Sequence, residues 1–385
     1  MVSSPLPSHE VHKTIRTFGW ASFLNDFGAD MIFSVWPLFL TQVLGANMAV
    51  VGLVDGVGDM MVSLSQAASG YLSDRIRKRK FFVWMGYFFG AVARLGYAVA
   101  TSWPMVLPFR ILDRSGKIRS SPRDAIVSDV SQRGNRGAHF GFLRMMDNLG
   151  AVCGIVASIL LIRILPLRTI FVLAAIPSLL GVLLVLTRVR DLVPGGKIFR
   201  GIRLGDISAN LTLYIVANAF LELATFSYSF LLLAAMAHGF AVRSIPVLYL
   251  IFTVAATLIS IPAGRLADRF GRRTVLLLSL LLWSMVTGLF VTASGLTGIA
   301  VAFVLYGLHK GMLDPVQKTL VAELAPKQYV ASVLGGFQLV VGLCSLPASL
   351  IAGLLWDRYG LTAPFVASVV LTAVAAGLLL FVREE

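Results

Sequence analysis

GYLSDRIRKRK, residues Gly70–Lys80, and GRLADRFGRR, residues Gly264–Arg273, are nearly the same phrase and set Asp74 and Asp268 194 residues apart. Each lies between two long apolar runs. A repeat of half the chain, made of hydrophobic segments with a short basic turn at one fixed place, is the pattern of a duplicated membrane-embedded chain. The same offset carries Asp129 to Glu323 and Ser128 to Ala322, again near the end of an apolar segment. Two landmarks at one offset are hard to obtain by chance.

Working outward from these turns, 57% of the residues are hydrophobic and 14% charged, well outside the soluble balance. Most apolar runs reach the ~20 residues that a helix needs to cross a bilayer. Twelve candidates fall at 17–41, 48–72, 81–101, 104–130, 138–162, 167–187, 207–236, 243–266, 274–293, 297–325, 330–356 and 362–382. Lipid-spanning strands would alternate polar with apolar, whereas these runs are continuous. The expected fold is an all-α integral membrane protein with twelve transmembrane helices in two pseudo-symmetric six-helix bundles. Residues 1–188 form the first bundle, 189–206 a cytoplasmic central loop and 207–385 the second.

The formal charge of +14 is distributed by topology and not by a nucleic-acid surface. With the N-terminus inside, the inner turns and tails hold twenty Lys and Arg, among them Arg75, Arg77, Lys78, Arg133, Arg190, Lys197, Arg200, Arg203, Arg265, Arg269 and Lys327. The outer turns hold Arg163, Arg168, Arg243 and Arg358. This asymmetry follows the positive-inside rule and places both termini in the cytoplasm. Cys153 and Cys344 lie in apolar segments and read as small hydrophobes. The first twenty residues lack a removable signal's basic-then-apolar build, so the first helix is expected to direct insertion.

Arg188 to Asp206, with Pro194-Gly195-Gly196, reads as the interior linker. The outer turns are too short to hold an extramembrane domain, and no HExxH, GxSxG or phosphate-loop pattern occurs, which argues against an enzyme. His139 and His309 have no partner at metal-ligand spacing. No cofactor and no resident metal are expected.

The doubled G-x-x-x-D-R-x-G-R-[RK] turn and the six-plus-six arrangement resemble the major facilitator superfamily over nearly the whole chain. That resemblance implies a transporter working by alternating access. It implies that Gly70 and Gly264 permit close helix packing and that Asp74 and Asp268 stabilise a neighbouring helix end. It also implies that Lys78 and Arg272 pair with Asp129 and Glu323, contacts that form in one access state and break in the other, with Arg75 and Arg269 completing the gate. Arg77 stands where the second copy keeps Gly271, so the first turn is expected to be shaped differently. The stretch Arg110–Gly116, RILDRSG, is similar to the R-x-L-Q-G-x-G pattern of proton-driven drug antiporters, with Asp113 and Arg114 replacing the glutamine and first glycine. Their G-P-x-x-G-G motif is also partial, since Gly150 and Gly154 remain while Ala151 replaces the proline. DRSGKIRSSPRDA resembles instead a bacterial branch of the superfamily with no assigned substrate.

The fourth segment carries Arg110, Asp113, Arg114, Lys117, Arg119, Arg123 and Asp124 where lipid ought to be. Each charge at the bilayer centre costs about 2.5–3.5 kcal/mol on insertion scales, so these face protein or a water-filled cavity. Arg119 to Asp124 are expected in the cytoplasmic vestibule. Asp26 and Asp30, four apart on one helix face, are expected opposite Arg110 and Arg114. Asp55 and Asp59 repeat that spacing, and Arg144 and Asp147 lie three apart with Asn148 beside them. The second half keeps fewer lining charges, chiefly Glu222, Asp314 and Lys318.

A carboxylate near a cation, exposed alternately to the two sides, meets the physical requirement for proton coupling. Asp30 and then Asp26 are the expected proton carriers, with Arg110 as cationic gatekeeper. Proton-coupled export of a small organic compound, as an antiporter in a bacterial inner membrane, is the leading expectation. Import or exchange of an anionic metabolite is the alternative, since a cationic fourth helix attracts anions. Methionine beside acid, as in Asp59-Met60-Met61, motivates a weaker transition-metal reading. The expected partners are the substrate, protons and the lipid bilayer, with no nucleic acid and a monomer sufficing.

Overall fold

Helices make up every long element of the computed structural model, which describes residues 8–76, 78–131, 135–189, 208–293, 295–326 and 330–384. Among these residues there is no strand. The side chains of residues 8, 9, 71, 74 and 331 are outside the description, so the expected role of Asp74 lies outside the described residues. So do Arg77, Arg133, Lys327 and, apart from Val189, the expected central loop 189–206.

The chain runs through α1 (Ser8–Phe33), α2 (Trp36–Leu38), a π turn at Phe39–Val43, α3 (Met48–Ile76) and α4 (Arg79–Val99). The fourth segment follows as α5 (Trp103–Ser115), a 3₁₀ turn (Gly116–Arg119) and α6 (Ser120–Val130). Then come α7 (Arg136–Leu161), α8 (Leu167–Arg188), α9 (Ala209–Ala224), α10 (Tyr228–Ala237), α11 (Ile245–Phe270) and α12 (Arg272–Thr292). The last three are α13 (Leu296–Leu324), α14 (Val330–Tyr359) and α15 (Ala363–Leu380).

Local chemistry explains the ends. Proline occupies the first turn of α5, α11 and α15, where its missing N–H costs nothing. Ser208 caps α9 by accepting from the Leu211 amide. Gly271 separates α11 from α12 at φ +90°, a conformation that L side chains rarely adopt. Lys78, the residue before α4, sits at φ −126°, so the two halves enter these helices by different turns.

Among the described residues, ten helical stretches are long and apolar enough to cross a membrane. The first and fourth segments are helical as expected but fall short of that criterion, because each carries charges along its length. The seventh segment is also not one helix: Thr225–Ser227 are non-helical between α9 and α10. Large apolar side chains on the surface, such as Ile164 at 75%, Leu258 at 70% and Ile261 at 70% exposure, would be a liability in water and are ordinary in lipid. The chain is a multi-pass membrane protein.

The residues cluster into two compact units. The first comprises Met1–Val35 and Leu64–Phe199. In it α1 packs on α7 and α8, and α4 on α5 and α8. Lipid tails are as apolar as leucine, so such packing rests on close contact more than on water exclusion. Gly150 and Gly154 supply it: a methyl group at either would run into the backbone carbonyl of Phe23 or Phe27 on α1. The second unit comprises Trp36–Ser63 and Arg200–Glu385. Its α13 packs on α11 and α12, and its α9 on α14 and α15, around Leu211, Tyr214, Leu280, Val316 and Phe337.

Candidate functional site

In the first unit the charges gather around the break in the fourth segment. The 3₁₀ turn at Gly116–Arg119 winds at three residues per turn in place of 3.6, so side chains beyond Gly116 leave the face that a continuous helix would give them. Gly86 of α4 lies against the Gly116 carbonyl, which holds the turn close to its neighbour. Arg119 donates to the Gly116 carbonyl at 2.9 Å, stacks over Tyr87 at 4.9 Å and reaches Asp26 at 3.7 Å. Asn25 also donates to Asp26, at 2.8 Å. Arg119 thus pairs with Asp26, a contact the sequence reading did not make, as the tighter turn sets it toward α1.

Arg119 and Arg123 are buried, at 8% and 7% exposure. Arg123 donates to Ser22 at 2.6 Å and to Asp124 at 3.1 Å, and lies 3.4 Å from Asp147. Arg144 approaches the other Asp147 oxygen at 3.6 Å from an exposed position. Arg110 is fully buried, and the guanidinium groups of Arg110 and Arg114 lie over Phe33 at 5.6 and 4.4 Å. Asp30 and Asp113 are half-buried.

Arg94 of α4 escaped the sequence reading, although a lone arginine amid apolar residues is the signal that should have found it. It is 2% exposed and donates to the Asn25 carbonyl at 3.1 Å, the Ala174 carbonyl at 3.2 Å and Ser178. Those partners tie α4 to α1 and α8.

The second unit holds an acidic group around Lys310. Lys310 and Asp314 are one turn apart on α13, and Lys310 interacts electrostatically with Asp314, Glu222 and Asp59. Glu222 stands on α9 and Asp59 on α3, and Glu222 feels both Lys310 and Asp59. Lys310 was missed by the sequence reading, yet its spacing to Asp314 was visible. Lys318 is exposed. Asp55 is 1% exposed and accepts from Trp36 Nε1 at 2.8 Å, Ser227 at 2.6 Å and Ser229 at 2.5 Å. It thus anchors the non-helical stretch between α9 and α10.

At the repeated turns, Arg272 lies 2.8 Å from Glu323 and 2.9 Å from Asp268. In the first copy the residue on Asp129 is Arg79, at 2.5 Å, and not Lys78, which is exposed. Arg79 and Arg272 are each the first residue of their helix, so structural equivalence runs one residue off the sequence offset. Arg75 and Arg269 are exposed, Arg269 lying over Phe270 at 5.2 Å. Among the described residues, Gly70 and Gly264 are not at tight helix contacts. A methyl at Gly70 would meet Ser121 at an ordinary 3.6 Å, and no described atom lies within 4 Å of one at Gly264.

Among the described residues no group of three or more His, Cys, Asp or Glu is arranged to hold a metal ion. His309 is buried, bonded through Nδ1 to Ser279 at 2.9 Å and stacked on Trp283.

Comparison with known proteins places this architecture. The sequence model of the Major Facilitator Superfamily matches residues 18–240 and 214–385. An uncharacterized MFS-type transporter of Methanocaldococcus jannaschii, MJ1317, is 33% identical over 383 residues, covering 97% of this chain and 96% of the relative. The crystal structure of a mutant nucleoside transporter NupG superposes with a TM-score of 0.84 at 14% identity, over 96% of this chain and 100% of that one. A D-xylose-proton symporter does so at 0.79 and 14%, over 97% and 98%. The chain belongs to the Major Facilitator Superfamily.

Proposed function

We propose that this protein is a proton-coupled secondary transporter of a small organic compound, with the proton carried by the acidic group around Lys310. Membership of the superfamily supports secondary transport, and a transporter rather than an enzyme. The observation that carries the proton reading is that Asp59, Glu222 and Asp314 share one lysine inside a membrane-spanning unit. Asp59 and Glu222 are half-buried and Asp314 is exposed, so the negative charge gathered at this lysine is partly open to its surroundings and can exchange a proton. A proton bound to one of them offsets it, and its release on the other side couples the gradient to the conformational change. Asp26, already held by Arg119 and Asn25, is a poorer carrier than the sequence suggested.

The gate in this reading is the pair Arg272–Glu323 with its counterpart Arg79–Asp129, made in one access state and broken in the other. Both termini lie in the cytoplasm, one chain suffices, and export by exchange for protons in a bacterial inner membrane is the working direction.

Purified protein is screened against small organic compounds by thermal shift, and hits are assayed for flux in proteoliposomes containing a pH dye. Proton movement that accompanies substrate and disappears in Glu222→Gln is the expected result. Substrate flux without any proton movement, or an unaltered Glu222→Gln variant, refutes the proton reading.

A further inference from the structure

Lys117 differs from the other charges of the fourth segment. It stands in the 3₁₀ turn at Gly116–Arg119, and its ammonium has neither a hydrogen-bond acceptor nor a carboxylate within 4 Å among the described residues. The nearby acids are committed elsewhere. Asp26 is held by Arg119 at 3.7 Å and by Asn25 at 2.8 Å. Asp147 is held by Arg123 at 3.4 Å and by Arg144 at 3.6 Å. Lys117 sits in the field of Arg119 and Arg114, whose charge adds to its own, and of Asp26 and Asp147, whose charge opposes it. It is half-buried, so part of its side chain is open to its surroundings.

An ammonium with three donors, flanked by two guanidinium groups and near acids that already serve other donors, has capacity for a further anion. A purely structural lysine at this depth would be expected to pair, as Arg119 and Arg123 do. The 3₁₀ turn matters here too. It sends Arg119 toward α1 and leaves Lys117, two residues earlier, on a different bearing.

We propose that Lys117 is the counter-charge for a carboxylate on the transported compound, so that the substrate class is an organic anion. This rests on the transporter reading above and deepens it, while using different residues in a different unit from the proton carrier. In this arrangement the carboxylate accepts from the Lys117 ammonium, and Arg114 and Arg119 supply longer-range attraction that draws anions into the site.

The test is binding in detergent with no gradient. Benzoate, lactate, succinate and citrate are compared with their amides by thermal shift and calorimetry, on wild type, Lys117→Arg and Lys117→Gln. At least one carboxylate is expected to stabilise wild type while its amide does not. Lys117→Gln should weaken that carboxylate about tenfold or more, and Lys117→Arg, which keeps the charge, should retain most of the binding. The unliganded melting temperatures of the three proteins show whether each variant is folded. No stabilisation by any of the four carboxylates overturns the proposal, and so does equal binding to Lys117→Gln. Loss of proton flux with carboxylate binding intact would sink the proton reading alone, and the reverse result would sink this proposal alone.

Discussion

Replacing Arg123 by glutamine tests whether the buried charges of the first unit act as a lock. The guanidinium is 7% exposed and joins three helices, through Ser22 on α1 at 2.6 Å, Asp124 on α6 at 3.1 Å and Asp147 on α7 at 3.4 Å. Removing it leaves Asp147, whose side chain is 13% exposed, with Arg144 as its remaining ion-pair partner at 3.6 Å. Two magnitudes compete. Hydrogen bonds between membrane helices average only about 0.6 kcal/mol, with a maximum near 1.7. Breaking a buried ion pair by deleting one partner costs about 3–5 kcal/mol, because the other charge is stranded. The stranded charge decides, and Arg144 softens it, so Arg123→Gln should cost about 3 kcal/mol, roughly two decades in the unfolding equilibrium. Asp147→Asn removes the same pair from the other side. The double variant removes both members of this pair, leaving only the more exposed Asp124 and Arg144 without it, and should recover about 2 kcal/mol of the summed loss. Unfolding by SDS in mixed micelles, followed by tryptophan fluorescence, measures all four proteins. A single-variant loss under 1 kcal/mol, or additive losses in the double variant, would refute the reasoning.

At the first repeated turn, Asp129→Asn and Arg79→Gln should slow transport to a similar degree while Lys78→Gln leaves it unchanged, as read by flux in proteoliposomes; a larger effect of Lys78→Gln would restore the pairing expected from the offset. Gly154→Val should cost about 1–3 kcal/mol in the same SDS unfolding assay, since its side chain meets the Phe27 carbonyl, whereas Gly264→Ala should be within about 0.5 kcal/mol of wild type. Asp55→Ala leaves Trp36, Ser227 and Ser229 without a shared acceptor and should cost about 1–3 kcal/mol, with faster proteolysis or hydrogen exchange at residues 225–229 as its local signature.

Much of this was legible in the chain alone, because bilayer physics writes itself into composition. Apolar runs of spanning length, the uneven distribution of Lys and Arg among the turns and the doubled turn at Gly70 and Gly264 point to a duplicated membrane transporter without any contact being known. The pair Arg272 and Glu323 could be read from the repeat because Gly271 keeps the motif's own turn. Where the turn chemistry departs, the reading slips by one residue, and Arg79 rather than Lys78 meets Asp129. The fourth segment shows the same limit. Its charges were plain in the sequence, but their partners depend on a 3₁₀ turn that no 3.6-residue periodicity predicts, and that turn sets Arg119 against Asp26 while Lys117 makes no close ion pair among the described residues. Lys310, Glu222 and Asp59 lie on three helices far apart in the chain, so only packing could show that they share a field. Sequence alone determined that the chain is a helical multi-pass membrane protein and where most of its spanning segments lie, because hydrophobicity and backbone hydrogen bonding act locally. Tertiary structure alone decided which charge answers which, because a shift of one residue or one tightened turn moves a side chain to another helix face.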